Sequence, residues 1–321
     1  LAKVTDPNGS ISAVVEILAQ TNDILQDMTF VEGNLPTGHR TTVRTGYPTP
    51  TWRKLYGGVA PNKGTTAQVT DNCGMLEAYA EVDKALADLN GNTAAFRLVE
   101  DRAHIEGMNI EFADTLFTGN EGSEPEAFSG FNIRYNLSTA ANGENIILGG
   151  GSGTDNANIW LIVWGPNTVH GIIPKGSKAG LQVTDKGQVT VEDASNGSNT
   201  GRFEAYRTHY RWDVGLTVRD WRYVVRIANI DKSDLVYTAA SGANLPDLMF
   251  QAMRRVPSLS MGRAAFYASR DTITMLGRQS AYLTGSSTLT VENVGGVLVE
   301  KFKGIPVRRV DALAADIALV S

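Results

Sequence analysis

Apolar residues recur along this chain in two rhythms, and each predicts its own kind of element. Ile11, Val14, Val15, Leu18, Leu25 and Met28 fall at helical spacing, which predicts an amphipathic helix over residues 11–28 with Ser10 or Ser12 as its N-cap. Gly33-Asn34-Leu35-Pro36-Thr37-Gly38 closes it. A short helix is expected over Leu76–Leu89, ending at Asn90-Gly91. Thr93 then caps a long one over Ala94–Phe117, where Phe96, Val99, Ala103, Ile110, Ala113 and Phe117 form one stripe and Leu98, Ile105 and Phe112 a flanking row. Arg97 with Asp101 and Arg102 with Glu106 stand at i, i+4 on the outer side. At 1.5 Å per residue this helix is about 36 Å long, enough to cross a domain.

A period of two governs residues 130–231, which read as mostly β. Tyr206, Thr208, Tyr210, Trp212, Val214, Leu216 and Val218 alternate with Arg207, His209, Arg211, Asp213, Gly215, Thr217 and Arg219, as a strand pair with one buried face requires. Turns are expected at Asn142-Gly143, at Asp185-Lys186-Gly187 and over Ala194–Gly201. Helices return with Pro246 near a start and Pro257 beyond an end, then Ala265–Tyr267 reads as a strand and Asp271–Ala281 as a helix. Leu289–Val310 reads as strands around Gly295-Gly296 and Lys303-Gly304. No internal repeat is visible.

Residues 38–70 follow neither rhythm. Thr41, Thr42, Val43, Thr45, Tyr47, Thr49, Thr51 and Trp52 favour extended backbone, as do Thr65, Thr66 and Val69, with a turn over Gly57–Gly64 between them. Only Val43, Leu55, Val59 and Val69 are sizeable aliphatics. Two such arms make a hairpin that either projects or folds back on its own domain.

Composition narrows the class. The 321 residues allow roughly two domains, and an apolar share of 42% excludes wholesale disorder. The longest apolar run, Ile159–Trp164, is far short of the ~18 residues that a membrane span needs. The chain begins at Leu1, and Asp6–Ser10 is a turn with no signal-peptide pattern around it, so export is not expected. A single cysteine, Cys73, excludes an internal disulfide and a cysteine zinc site, and is read as a small buried hydrophobe. A net charge of −5 argues against a dedicated nucleic-acid binder.

The familiar catalytic patterns are missing. No Gly-Lys dipeptide occurs, so there is no Walker A loop, and Gly149–Gly153 lacks both the third glycine and the following helix of a dinucleotide fingerprint. No serine sits in a G-x-S-x-G elbow. His39, His104, His170 and His209 show no ligand spacing, and His104 reads as part of a solvated helix face. No catalytic, cofactor-binding or metal residue is therefore assigned. The strongest chemical feature is the run from Arg202 to Arg226, with Arg207, Arg211, Arg219 and Arg222 among Tyr206, Tyr210, Trp212, Trp221 and Tyr223. It fits a stacking platform for single-stranded nucleic acid. It fits better as arginines paired with Glu204, Asp213 and Asp220, or with a neighbouring subunit.

The order of these parts carries a resemblance. Leu35–Arg44 with Trp52-Arg53-Lys54-Leu55, Ala265–Tyr267 leading into Asp271–Leu276, and Phe302–Leu313 together resemble the major capsid proteins of tailed double-stranded DNA bacteriophages. The resemblance implies an α+β fold of the Hong Kong 97 type, with an N-terminal arm (1–37), an extended loop (38–75), a peripheral domain with its spine helix (76–130), a mainly axial β-rich part (131–259) and a return to the peripheral domain (260–321). It implies self-assembly into hexamers and pentamers of an icosahedral head built in the host cytoplasm, without enzymatic activity. Portal and scaffolding or decoration proteins would be its partners, packaged double-stranded DNA would be held non-specifically, and no membrane or cofactor would be involved. An encapsulin-like compartment shell is the first alternative, and a β-rich ligand-binding protein or enzyme the second. The candidates for inter-subunit contact are Arg44, Trp52, Arg53, Lys54, Lys63, Arg207, Arg211, Arg219 and Arg222. Nothing in the sequence assigns Lys54 or Lys63 a covalent crosslink.

The physical case for assembly is separate from the resemblance. An extended loop poor in aliphatics cannot stabilise itself and gains order by lying on another chain. A closed shell also needs several modest contacts repeated many times rather than one tight interface.

Overall fold

The computed structural model describes residues 22–91, 93–192, 201–282, 289–294 and 297–321. The chain runs α1 (Ile24–Asp27), β1 (Phe30–Glu32), β2 (Gly38–Gly46), β3 (Thr65–Asp83), α2 (Lys84–Ala87) and α3 (Thr93–Thr118). Next come α4 (Phe131–Arg134), β4 (Ile146–Leu148), β5 (Asn156–Trp164), β6 (Val169–Ile173), β7 (Gln182–Glu192), β8 (Arg202–Val218) and β9 (Val224–Asp231). Then follow α5 (Leu245–Arg255), β10 (Arg263–Ala268), α6 (Arg270–Tyr282), β11 (Leu289–Val294), β12 (Val297–Phe302) and β13 (Ile305–Arg309). Most of the expected 11–28 helix lies outside the described residues, as does most of the 194–201 turn; of the expected helix's described residues only Ile24–Asp27 are helical, and Asn22 forms a bridge to Val310.

Strand β8 organises one layer. It pairs antiparallel with β3 along Ala205–Gly215 on one edge, and with β7 and then β6 on the other. Beyond its pairing with β8, β3 runs on to pair with β2, so the hairpin grows directly out of this sheet. Through β6, which pairs with β5 at Val169 opposite Trp164, the same sheet continues as β4-β9-β5-β10-β13-β12-β11, where β10 is antiparallel to β5 and parallel to β13. Strands β5, β6 and β9 are buried along their whole lengths, as near-continuous apolar runs should be in the middle of a covered sheet.

Two expectations fail. Leu76–Asp83 is strand, and only Lys84–Ala87 becomes helical, with Asp83 capping it by accepting from the N–H groups of Ala85 and Leu86. The segment Leu76-Glu77-Ala78-Tyr79-Ala80-Glu81-Val82 fits a period of two as well as a helix, and pairing with β8 decides between them. Asp185-Lys186-Gly187 is a bulge inside β7 rather than a turn. Gly187, at φ +69°, absorbs the extra residue where a side chain would be strained.

Helix α3 forms almost where expected and is about 39 Å long. Its buried face, however, is Phe96, Met108, Phe112, Ala113, Leu116 and Phe117, while Leu98, Ala103 and Ile105 are exposed. Its first four turns and middle lie on the β3–β8 layer, where Phe96 meets Val82 and Ala87, and Met108 meets Ala80 and Tyr210. Its C-terminal turns enter the main core, where Phe117, Phe131 and Trp160 pack with centroids 5.6–6.1 Å apart. Arg97 does not serve an i, i+4 pair with Asp101; it crosses to Asp185 of β7 at 2.8 Å.

The same core holds Arg226 fully buried. Its Nη1 donates to the Tyr135 carbonyl at 2.6 Å, and its guanidinium lies 5.2 Å from the Trp160 ring centroid. Burial pushes its pKa down to about 10, so it still carries charge at neutral pH.

Candidate assembly surfaces

The hairpin projects. Its ladder runs from Gly38 opposite Asn72 to Gly46 opposite Thr65, about 30 Å of paired strand. The rungs hold without a core: Thr45 Oγ1 donates to Thr65 Oγ1 at 3.0 Å and Arg40 Nε to Thr70 Oγ1 at 3.2 Å. At the root, the Asn34 side chain donates to the Arg40 carbonyl and accepts from the Arg40 N–H. Residues 47–64 carry no helix or strand, and are tied by Asn62 Nδ2 to the Thr49 carbonyl and by the Gly57 N–H to the Lys54 carbonyl. Trp52, Leu55 and Tyr56 stand 102%, 85% and 106% exposed. Large apolar side chains this free of their own chain need another surface.

Of the candidates on this loop, Arg53, Lys54 and Lys63 are exposed, and Arg44 lies against the Tyr47 ring. The candidates of the basic run sit elsewhere and are paired within the chain. On the solvent face of the β3–β8 layer Arg207 pairs with Glu81 at 2.5 Å, His209 with Glu77 at 3.1 Å and stacked on Tyr79, and Arg211 with Asp213 at 2.9 Å. Arg219 donates to the Pro166 carbonyl and Arg222 pairs with Asp220. Sequence reading found Asp213 and Asp220 but missed Glu77 and Glu81, because both lie in the segment read as helix. Glu204 serves Gln188 and Thr190 instead of an arginine. The aromatics of the run that alternate with these arginines, Tyr206, Tyr210 and Trp212, turn inward to α3 and its neighbours, so no continuous stacking platform forms.

Asp27 and a histidine pair make two further polar clusters. Asp27 accepts from Arg308 through both oxygens, at 3.1 and 3.2 Å, and from the Tyr267 hydroxyl at 3.1 Å, while Tyr267 accepts from Trp164 Nε1. This network pins α1 to β10 and β13. At the loop root, His39 of β2 meets His170 of β6 edge-on, with ring centroids 5.7 Å apart. Burial and then the Arg219 charge lower the His39 pKa, and burial lowers that of His170.

Burial first, then Asp213 and Asp71, push the Cys73 thiol up to about 12, which makes it a poor nucleophile. Among the described residues no group of three or more His, Cys, Asp or Glu could hold a metal ion, and no helix is long and apolar enough to cross a membrane.

A solved phage structure resembles the whole chain. A chain in the cryo-EM structure of bacteriophage epsilon15 is 37% identical, with a TM-score of 0.76, over 100% of this chain and 96% of that one. The capsid of bacteriophage JBD30 is 10% identical at a TM-score of 0.45, covering 91% of both chains. The SrpI encapsulin of Synechococcus elongatus is 10% identical at 0.46, over 69% of this chain and 92% of that one. Among curated proteins there is no match. The likeness to the epsilon15 chain over the whole length favours the phage reading over the compartment alternative. The profile of the family described as Major capsid protein GP7 matches residues 6–321. With a mixed α+β fold of the Hong Kong 97 type, a spine helix and a projecting loop, this chain belongs to the GP7 family of phage major capsid proteins.

Proposed function

We propose that this major capsid protein assembles as hexamers and pentamers into an icosahedral head around double-stranded DNA, and that each subunit's loop lies across a neighbour. The observation that carries this reading is the loop tip, whose Trp52, Leu55 and Tyr56 find no cover in their own chain. The role is structural and not enzymatic. The layer of α3 on β3 and β8 serves as the peripheral domain, and the sheet around β5 and β9 supplies the main part of the axial domain. Residues 1–37 act as the arm. Arg44, Trp52, Arg53, Lys54 and Lys63 are the contact residues of the loop. Arg207, Arg211, Arg219 and Arg222 serve their own sheet first and present what remains of their donors to neighbours. A portal and a scaffolding or decoration protein complete the head, which forms in the host cytoplasm. The acidic balance suits a wall that encloses DNA without gripping it.

Electron microscopy of the purified protein tests the proposal. Shells or capsomers are expected, and persistent monomers or small dimers under native conditions would refute it.

A further inference from the structure

Beside the C-terminal half of α3 lies an open cleft of about 240 Å³. Its floor is apolar, formed by Met75, Leu76, Phe112, Phe128 and Val214, and its rim is acidic, with Glu111, Glu124 and Glu126. Gly74 makes the cleft possible: a Cβ there would come within 2.9 Å of the Glu126 carbonyl, so only glycine lets the 124–128 segment lie this close to β3. All three rim glutamates are exposed. Among the described residues Glu124 and Glu126 have no cationic partner, and Glu111 touches only the Thr115 hydroxyl.

The loop tip has the opposite character. Arg53 and Lys54 are exposed cations without a carboxylate partner among the described residues, set between the exposed Trp52 and the exposed Leu55 and Tyr56. We propose that this cleft is the seat for the Trp52–Tyr56 tip of a second copy, with one ring or aliphatic side chain on the apolar floor and Arg53 and Lys54 against the glutamate rim. The inference rests on the assembly reading and adds to it the receiving site on the neighbour.

Three arguments single out the tip of another copy as the occupant. Charge is complementary, three unpaired carboxylates facing two unpaired cations. Volume is adequate, since a cavity of ~150 Å³ already holds a benzene ring. Geometry excludes the chain's own tip. The cleft sits at Gly74–Leu76, just past the hairpin root at Gly38 opposite Asn72, whereas the tip is about 30 Å away along the ladder.

The test is disulfide trapping in assembled shells. Lys54→Cys and Glu126→Cys are combined in one chain, and each is also made alone. All of these variants also carry Cys73→Ser, because Cys73 is a half-buried free thiol next to Gly74 of the cleft and would otherwise compete for a cysteine at the tip. After mild oxidation the double variant should run as covalent multimers on a non-reducing gel, and each single variant as a monomer. Intact shells without that linkage would overturn the seat while leaving the assembly reading in place. Wild-type protein that forms no shell would overturn both. In parallel, Glu124→Lys with Glu126→Lys should cut shell yield at least tenfold while the subunit's cooperative unfolding is kept. Adding Arg53→Glu and Lys54→Glu to the same chain should restore the yield; no recovery would count against the proposal.

Discussion

Removing the loop separates what holds one subunit from what holds the shell. Gly46 pairs directly with Thr65, so residues 47–64 can be replaced by an Asn-Gly pair that closes β2 and β3 as a two-residue hairpin. The excised residues bury almost nothing in their own chain: Tyr47 and Leu55 are each 85% exposed, and Trp52 and Tyr56 wholly so. Exposed segments of this kind change stability by no more than about 0.5–1 kcal/mol. On a neighbour, covering Trp52, Leu55 and Tyr56 would contribute about 1.5–3 kcal/mol each, roughly 4–9 kcal/mol per loop before costs. Ordering the tip and desolvating its cations offset about half, leaving about 2–4 kcal/mol per contact. At 1.4 kcal/mol per tenfold, the concentration needed for assembly should rise by ~30-fold to ~1000-fold. Urea unfolding of dissociated subunits would report the first number, and light scattering with electron microscopy across a concentration series the second. A subunit weakened by more than about 1.5 kcal/mol would mean that the loop belongs to its own core. Shells at the wild-type threshold would mean that the tip contributes no contact.

Further expectations concern the body. Asp27→Ala leaves Arg308 and the Tyr267 hydroxyl without their buried acceptor and should cost the dissociated subunit about 3–5 kcal/mol in denaturant unfolding. In a double-mutant cycle with Arg308→Ala, coupling below about 0.5 kcal/mol would deny the pair its role. Arg226→Ala should cost about 3–5 kcal/mol through cavity and lost carbonyl bonds, but Arg226→Met, which removes the buried charge and keeps most of the volume, less than about 1.5 kcal/mol. His39 and His170 have pKa values lowered by burial, so the unfolded chain binds protons that the folded one refuses. Stability of the dissociated subunit should therefore be complete above the ordinary histidine value of 6.5 and fall as pH drops below it. His39→Gln with His170→Gln should flatten the urea midpoint between about pH 7 and pH 5, a window set by the unperturbed histidine pKa; an unchanged slope would remove the pair from the account.

Much of the architecture was legible because local pattern and tertiary environment agree. The 93–118 helix, the alternation over 202–218, Pro246 at a helix start and the two arms of the hairpin all follow from spacing and turn chemistry. Reading failed where one segment satisfies two periods. Leu76–Val82 became strand because β8 offers eleven residues of ladder, from Cys73 opposite Gly215 to Asp83 opposite Ala205. That error also hid Glu77 and Glu81 from the basic run. The stripe on the long helix was displaced for a related reason: Met108 and Leu116 are buried by what lies beneath them, a sheet at one end and a ring cluster at the other.

The sequence by itself determined the class of molecule: a mildly acidic chain of two rhythms, with one cysteine, no catalytic spacing and a Thr-rich loop unable to fold on its own aliphatics. Those properties depend on composition and on neighbours within a few residues, which a linear text records. Tertiary structure alone decided that the loop projects, that its tip finds no cover at home, that Arg207 of the run is answered by Glu81 of β3, and that an acid-rimmed cleft opens beside α3. Each of these is a meeting of groups far apart in the chain, and burial and charge pairing select such meetings only once the sheet has formed.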